Sequence, residues 1–184
     1  MTTPISRIWI ITGDREAGKT RFCQAVLHEA RRRHLTVAGI LSPAIFSQGK
    51  KMVIEAEDPA SSEKHLLATL REEVPDAITR RWKFDDNAMK WASTVIGRST
   101  PCDLLIIDEL GPLELEHQQG WIEGIQALDS RMYRAALVVI RPELLTLGVE
   151  HWPDAEVITI NRNEAPDLTQ GKIELILDRL PTQL

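Results

Sequence analysis

The sequence has 184 residues, of which 43% are hydrophobic and 27% are charged. This length and composition are typical of a globular chain with a buried core, and they exclude a disordered or fibrous protein. The formal net charge of −5 argues against general attraction to nucleic acid or to an acidic membrane surface.

The N-terminal part of the chain alternates short apolar runs with one amphipathic stretch. RIWII (7–11) predicts a first strand, and residues 19–33 place apolar or small side chains at helical spacing. TVAGIL (36–41) predicts a second strand. Two β-rich pieces then flank residues 47–50, which predicts a hairpin added to the main sheet.

The remainder continues this alternation after one ambiguous segment. Residues 58–83 carry Pro59, Pro75 and mixed charge, so they predict either strand or short helix. Asp86 is predicted as the N-cap of a following helix. The later predicted elements are a buried parallel strand at 103–109, a helix at 119–128, strands at 134–140 and 156–160, and a closing helix at 170–180.

Strands that alternate with helices predict an α/β fold, in which helices flank a mostly parallel sheet. No internal repeat, low-complexity segment or linker interrupts the chain. We therefore expect a single domain over residues 1–184, with a β-rich insertion at about 43–84.

A phosphate-binding loop is indicated by TGDREAGKT (12–20). It fits G-x-x-x-x-G-K-[ST] through Gly13, Gly18, Lys19 and Thr20, between a predicted strand and a predicted helix. In such loops successive backbone N–H groups and the positive end of a helix dipole bind phosphate. The predicted nucleotide-binding residues are Gly13, Asp14, Arg15, Glu16, Ala17, Gly18, Lys19, Thr20 and Arg21.

Two acids follow the apolar strand LLII (104–107), at the strand end where ligands bind in open α/β sheets. We predict that Asp108 and Thr20 hold Mg²⁺, with Asp108 acting through a water. Glu109 is predicted to activate the attacking water as a general base, and Lys19 to bring a cation to the β- and γ-phosphates.

Together, TGDREAGKT and the segment IDELGPLEL (107–115) resemble the small P-loop nucleoside-triphosphatases, known from thermophiles and from a human cancer-related member. Their acidic strand continues as I-D-E-[IL]-G-[PK]-[ML]-E-L. The resemblance implies a mixed sheet with another strand between the loop strand and the acidic strand. It also implies slow Mg²⁺-dependent hydrolysis of several nucleoside triphosphates to diphosphate and phosphate.

The loop departs from the family's glycine- and proline-rich pattern at positions 14–17. Asp14 and Glu16 would weaken polyphosphate binding unless they turn away from it. Arg15 is a candidate arginine finger in cis, with ordinary surface exposure as the alternative. Arg141, which ends the strand at 134–140, is a candidate for stabilising developing charge, with a turn-capping role as the alternative.

Two other functions use the same loop. A small-molecule kinase would need an arginine-rich lid, for which Arg71, Arg80 and Arg81 are candidates, although Glu109 would favour wasteful hydrolysis. A switch protein would act on an unidentified protein partner. A guanine-specific switch normally carries [NT]-K-x-D, whereas NRNE (161–164) has Arg162 and Glu164 at the key positions.

Three features bear on the location of the protein. Cys23 and Cys102 form no disulfide framework, and the N-terminal residues show no signal-peptide pattern. The strongest apolar run, AALVVI (135–140), is too short to span a bilayer. We therefore expect a cytoplasmic protein whose ligand is a nucleoside triphosphate and whose partners do not include a membrane.

Overall fold

The computed structural model describes residues 6–71 and 81–181. The strands are β1 (Arg7–Thr12), β2 (Val37–Ile40), β3 (Ala44–Ser47), β4 (Lys50–Glu57), β5 (Lys64–Leu70), β6 (Trp82–Phe84), β7 (Cys102–Leu110), β8 (Tyr133–Ile140) and β9 (Glu156–Thr159). The α-helices are α1 (Lys19–Arg32), α2 (Asp86–Gly97), α3 (Pro112–Leu115), α4 (Ile122–Asp129), α5 (Leu145–His151) and α6 (Pro166–Asp178).

The main sheet has the strand order β2-β7-β8-β1-β9, and all of these strands run parallel. β8 lies between β1, which leads into the predicted phosphate loop, and β7, which carries the two acids. The predicted α/β fold and its intervening strand are therefore confirmed. The sheet itself is parallel rather than mixed, because antiparallel ladders occur only in the insertion among the described residues.

Helices cover both faces of this sheet, which explains why its strands are continuous apolar runs rather than alternating ones. Along β1, Trp9 and Ile11 pack in the same cluster as α1 and α6. Their neighbours Ile8 and Ile10 pack on the other face with α2 and α4. The alternation follows from the two-residue period of a strand, and it buries both faces of β1, the strand that leads into the predicted phosphate loop.

The insertion forms a four-stranded antiparallel sheet in the order β3-β4-β5-β6. The predicted hairpin is present, and its turn uses the positive φ angles of Gln48 and Gly49. The segment at 58–83, which the sequence left open between strand and short helix, contributes β5 and most of β6. It joins the main fold through an antiparallel bridge between Leu41 and Glu57, directly after β2.

Several element boundaries differ from the sequence prediction. The N-cap of α2 is Asp85 rather than Asp86, because the Asp85 carboxylate accepts a hydrogen bond of 2.8 Å from the backbone N–H of Ala88. The predicted helix at 119–128 is α4 at 122–129, and the closing helix starts four residues earlier than predicted. The short helices α3 and α5 were not predicted. Such short elements carry too few residues to show a helical period.

None of the helices in the described ranges combines the length and the apolar character needed to cross a membrane.

Candidate active site

The loop between β1 and α1 has two glycines that no other residue replaces without strain. Gly13 has φ +136°, and a Cβ there would lie 2.2 Å from the carbonyl oxygen of Ile160. Gly18 has φ +103° and is the N-cap of α1. Both angles are unfavourable for residues with a side chain. The glycines therefore allow the chain to turn sharply at the carboxyl end of β1.

The start of α1 presents hydrogen-bond donors and one ammonium group to the same space. The N–H of Phe22 bonds the carbonyl of Gly18 at 2.9 Å, so the N–H groups of the preceding turn lie outside the helical ladder. Lys19 Nζ donates to the carbonyl oxygens of Gly13 at 2.6 Å and Asp14 at 2.8 Å. Burial lowers the pKa of Lys19, whereas the charge of Glu109 acts in the opposite direction. This arrangement suits a bound anion.

Asp108 connects the acidic strand to the phosphate loop. Thr20 Oγ1 donates to Asp108 Oδ1 at 3.3 Å, and the backbone N–H of Ser42 donates to Asp108 Oδ2 at 2.9 Å. The Ser42 hydroxyl donates to the Asp108 carbonyl at 2.5 Å. Burial, with Glu109 nearby, raises the pKa of Asp108 to about 6, although the Ser42 hydrogen bond opposes this. The carboxylate is thus fixed within reach of the Thr20 hydroxyl.

Glu109 points to a different partner from its neighbour. The Nε of Arg141 donates to Oε1 of Glu109, which forms an ion pair between the ends of β8 and β7. The β7–β8 register shifts between Ile107 and Leu110, so β7 has one more residue there than β8. Such a bulge redirects side chains and is frequent beside active sites. Here the bulge spans Asp108 and Glu109.

The charged side chains at positions 14–16 face solvent, whereas Ala17 is buried. Asp14, Arg15 and Glu16 are exposed, and Arg15 lies 3.8 Å from Glu143. Arg162 donates to the Arg15 carbonyl at 3.1 Å, and its guanidinium lies 4.0 Å from Glu16. The acids that departed from the family pattern are therefore turned outward, and Arg162 partly balances their charge.

Three residues at or near the site were not assigned a role from the sequence. Ser42 orients Asp108 from the end of β2, and Lys51 approaches the acids from β4. Glu114, whose role the sequence left open, accepts hydrogen bonds from the backbone N–H groups of Gly111 at 2.8 Å and Trp121 at 2.9 Å. It therefore holds the turn that follows the acidic strand. In the sequence, Ser42 and Lys51 differ from other polar residues only in lying next to the end of a predicted strand.

The candidate kinase lid falls in the insertion. The backbone N–H of Arg71 donates to the carbonyl of Arg81 at 3.0 Å, beside the β5–β6 ladder. Arg80 lies outside the described residues. The structure thus places Arg71 and Arg81 just beyond the paired residues of β5 and β6. It brings Lys19, Thr20, Asp108, Glu109 and Arg141 together at the carboxyl end of the main sheet.

Comparison with known proteins agrees with this geometry. A family model described as NTPase matches residues 8–169. Nucleoside-triphosphatase THEP1 of Methanopyrus kandleri is 26% identical over 175 residues, which cover 93% of this chain and 96% of the relative. Nucleoside-triphosphatase THEP1 of Caldivirga maquilingensis is 22% identical over 171 residues, with 91% and 95% covered.

Solved structures show the same fold. The solution structure of a human cancer-related nucleoside triphosphatase matches with a TM-score of 0.70 and 18% identity, over 94% of this chain and 98% of that chain. THEP1 from the hyperthermophile Aquifex aeolicus matches with a TM-score of 0.63 and 14% identity, over 92% and 98%. The resemblance inferred from the two motifs is therefore confirmed. The chain belongs to the NTPase family, a family of enzymes that hydrolyse nucleoside triphosphates.

Proposed function

We propose that this chain hydrolyses nucleoside triphosphates to the diphosphate and phosphate in a Mg²⁺-dependent reaction, with water activated by Glu109 and with low base specificity. The observation that most directly supports this function is the hydrogen bond between Thr20 and Asp108, which are 88 residues apart in sequence. It joins the phosphate loop to the acidic strand, so that phosphate binding, metal binding and water activation share one site.

Substrate binding is assigned to residues 13–21. The backbone N–H groups of this loop and of the first turn of α1 donate hydrogen bonds to the phosphate oxygens. Lys19 exchanges its two carbonyl contacts for the β- and γ-phosphates, since the ammonium already lies above the loop. Because backbone groups bind the phosphates, the outward side chains of Asp14 and Glu16 do not oppose binding strongly.

Thr20 and Asp108 fit a magnesium ion. Their oxygens are hard donors 3.3 Å apart, and Mg²⁺ is usually bound by one or two protein groups together with waters and substrate phosphates. Among the described residues, no group of three or more His, Cys, Asp or Glu side chains is arranged to hold a metal alone. When bound, the ion supplies charge neutralisation at the β- and γ-phosphates.

Glu109 is assigned the role of general base. As the water oxygen forms a bond to the γ-phosphorus, Glu109 accepts the water proton, and the bond to the β–γ bridging oxygen breaks to release the diphosphate. Arg141 orients the Glu109 carboxylate through its hydrogen bond. Its charge also lies at the end of β8, beside the space where negative charge develops.

Low base specificity is supported by the loop after β9. Arg162, at the position of the lysine in a guanine-reading motif, donates to the Arg15 carbonyl. Glu164, at the position of the aspartate, accepts a hydrogen bond of 2.5 Å from Lys172 Nζ. Both side chains are engaged with the protein, so neither is arranged to read a guanine.

We also propose that residues 1–184 act as one domain, including the insertion at about 43–84. Ala56 and Leu67 of the insertion belong to the same buried cluster as Ile107 of the main sheet. A shared core of this kind favours cooperative folding of the two sheets.

The test measures phosphate release from ATP, GTP, CTP and UTP with Mg²⁺ and after its removal by EDTA. The native chain is compared with Glu109→Gln, which keeps the size of the side chain and removes the base. We expect release from all four nucleotides, dependence on Mg²⁺, and a loss of about a hundredfold or more in the variant, while nucleotide binding persists.

Glu116→Gln is the matched control, because Glu116 lies on the same segment with its side chain 46% exposed and only His117, at 3.9 Å, as an ion-pair partner among the described residues. It should match the native chain. If nucleotide binds but neither the native chain nor the control releases phosphate, the hydrolase assignment is wrong. Equal release by Glu109→Gln would leave hydrolysis in place and remove Glu109 as its base.

A further inference from the structure

Lys51 brings a cation from the insertion to the candidate active site. It is the second residue of β4, where it pairs with Phe46 of β3. The insertion leaves the main fold just after Ser42, the residue that contacts Asp108. The β3–β4 hairpin therefore begins at the carboxyl end of the main sheet, the same edge as the phosphate loop.

The charges around Lys51 belong to the active site. Glu109, Asp108 and Glu16 attract its ammonium group, whereas Arg141 repels it. These residues come from β7, from the end of β8 and from the phosphate loop. Burial lowers the pKa of Lys51, and the acids act against that effect. The ammonium group therefore lies within the electrostatic field of the residues assigned to catalysis.

Lys51 differs from the other cations of the site in its contacts. Lys19 is hydrogen-bonded to two carbonyls, and Arg141 is paired with Glu109. Over residues 6–71 and 81–181, the Lys51 ammonium makes neither a hydrogen bond nor an ion pair within 4.0 Å, although the Lys51 backbone is paired in the β3–β4 ladder. Its ammonium instead lies 5.3 Å from the centroid of the Trp82 ring.

A half-buried ammonium without an acceptor loses hydration and gains little in return. An anion placed beside it would supply the missing hydrogen bonds. The Trp82 ring favours a cation at this distance and restricts where the flexible side chain rests. The Lys51 ammonium is thus a positioned charge, and a ligand rather than the protein would supply its hydrogen-bond acceptor.

We propose that Lys51 is a substrate-contacting residue, and that the insertion delivers its ammonium to the terminal phosphate of a bound nucleoside triphosphate. The inference rests on the proposed function for the identity of the ligand. Glu109 faces the γ-phosphate in that function, and Lys51 lies in the field of Glu109. Trp82 acts as its positioning residue. Lys51 should therefore discriminate a triphosphate from a diphosphate, which lacks the group it contacts.

The test compares Lys51→Met with Lys50→Met. Lys50 is exposed on the same hairpin and carries the same charge, so it is the matched control. Affinities for a non-hydrolysable ATP analogue and for ADP are measured with Mg²⁺. We expect Lys51→Met to weaken binding of the analogue by about tenfold and of ADP by less than about twofold, with no change for Lys50→Met. Lys51→Arg, which keeps the charge, should recover part of the loss.

Thermal unfolding verifies that each variant is folded, and Lys51→Gln replaces the methionine variant if that one is not. Equal losses for the analogue and for ADP, or a loss shared by Lys50→Met, would overturn the proposal. If the native chain releases no phosphate but Lys51→Met still loses the analogue selectively, hydrolysis fails and the role of Lys51 stands. If the native chain is active and Lys51→Met binds the analogue normally, hydrolysis stands and the proposed role of Lys51 is wrong.

Discussion

Arg141 and Glu109 form an ion pair that joins the ends of β8 and β7, with about one third of each side chain exposed. The two residues are 32 positions apart in sequence. They meet because β8 pairs directly with β7 in parallel, so that the residue after the end of β8 lies beside the acids at the end of β7. The proposed base is thus held from the adjacent strand rather than from its own loop.

This ion pair predicts that Arg141→Ala lowers turnover by about a hundredfold, because the variant loses both the orientation of Glu109 and a cation near the developing charge. The measurement is phosphate release at saturating nucleotide. Combined with Glu109→Gln, the loss should be smaller than the product of the two single losses, since the residues act as a unit.

Arg15→Ala provides the comparison for the second candidate arginine. Arg15 is 78% exposed and lies beside Glu143, so its removal should change turnover by less than about threefold. A large loss of turnover at unchanged affinity in Arg15→Ala would instead identify it as the arginine finger.

The two glycine environments predict opposite effects of the same substitution. Gly13→Ala should lower the free energy of unfolding by about 2 kcal/mol or more, because φ is +136° and the new Cβ would collide with the Ile160 carbonyl. Gly171→Ala in α6 should raise it by about 0.5–1 kcal/mol, since nothing lies within 4 Å and alanine favours a helix. Urea unfolding measures both. Similar stability of the two variants would contradict the described loop conformation.

The Asp103 carboxylate predicts a pH-dependent contribution to stability. Burial alone would raise its pKa, but hydrogen bonds from Thr36 and the ion pair with Arg134 outweigh burial, so its pKa lies below the usual 3.8. A lowered folded-state pKa means that the stabilisation is present above the unfolded value and is lost as pH falls through the folded value. Asp103→Asn should therefore cost about 1 kcal/mol at neutral pH.

The free energy of unfolding, measured from pH 7 downward, checks this expectation. The difference between the native chain and Asp103→Asn should shrink once pH falls below about 4. A difference that stays constant over this range would show that the charge contributes nothing. Turnover should not change, because Asp103 lies near the amino end of β7, away from the active-site acids.

The sequence predicted those parts of the fold that depend on local patterns. The strand-loop-helix at residues 7–33 could be predicted because a buried strand is a continuous apolar run and the loop requires glycines at fixed positions. The strand β7 could be predicted because it is also a continuous apolar run. The short helix α3 was missed because a single turn offers no period to detect. The N-cap of α2 was placed one residue too late because Asp85 and Asp86 are adjacent and aspartate suits the N-cap position.

Within the insertion, only the β3–β4 hairpin was predicted from the sequence. Gln48 and Gly49 form a tight turn, whose residue types are visible in sequence. The pairing of β4 with β5 and of β5 with β6 depends on contacts between distant residues and on bulges that shift the register. Sequence pattern alone does not specify such pairings where apolar and polar residues do not alternate cleanly.

By itself, the sequence determined which residues are candidates for the site: a loop of the phosphate-binding pattern ending in Lys19 and Thr20, and two acids at a buried strand end. These residues are recognisable because the roles proposed for them require particular side chains at particular spacings. The tertiary structure alone decided which groups surround them: Ser42 on Asp108, Arg141 on Glu109, and Lys51 approaching from another sheet. Those contacts depend on strand order, register and the path of the insertion, which are set by packing of the whole core rather than by any local run of residues.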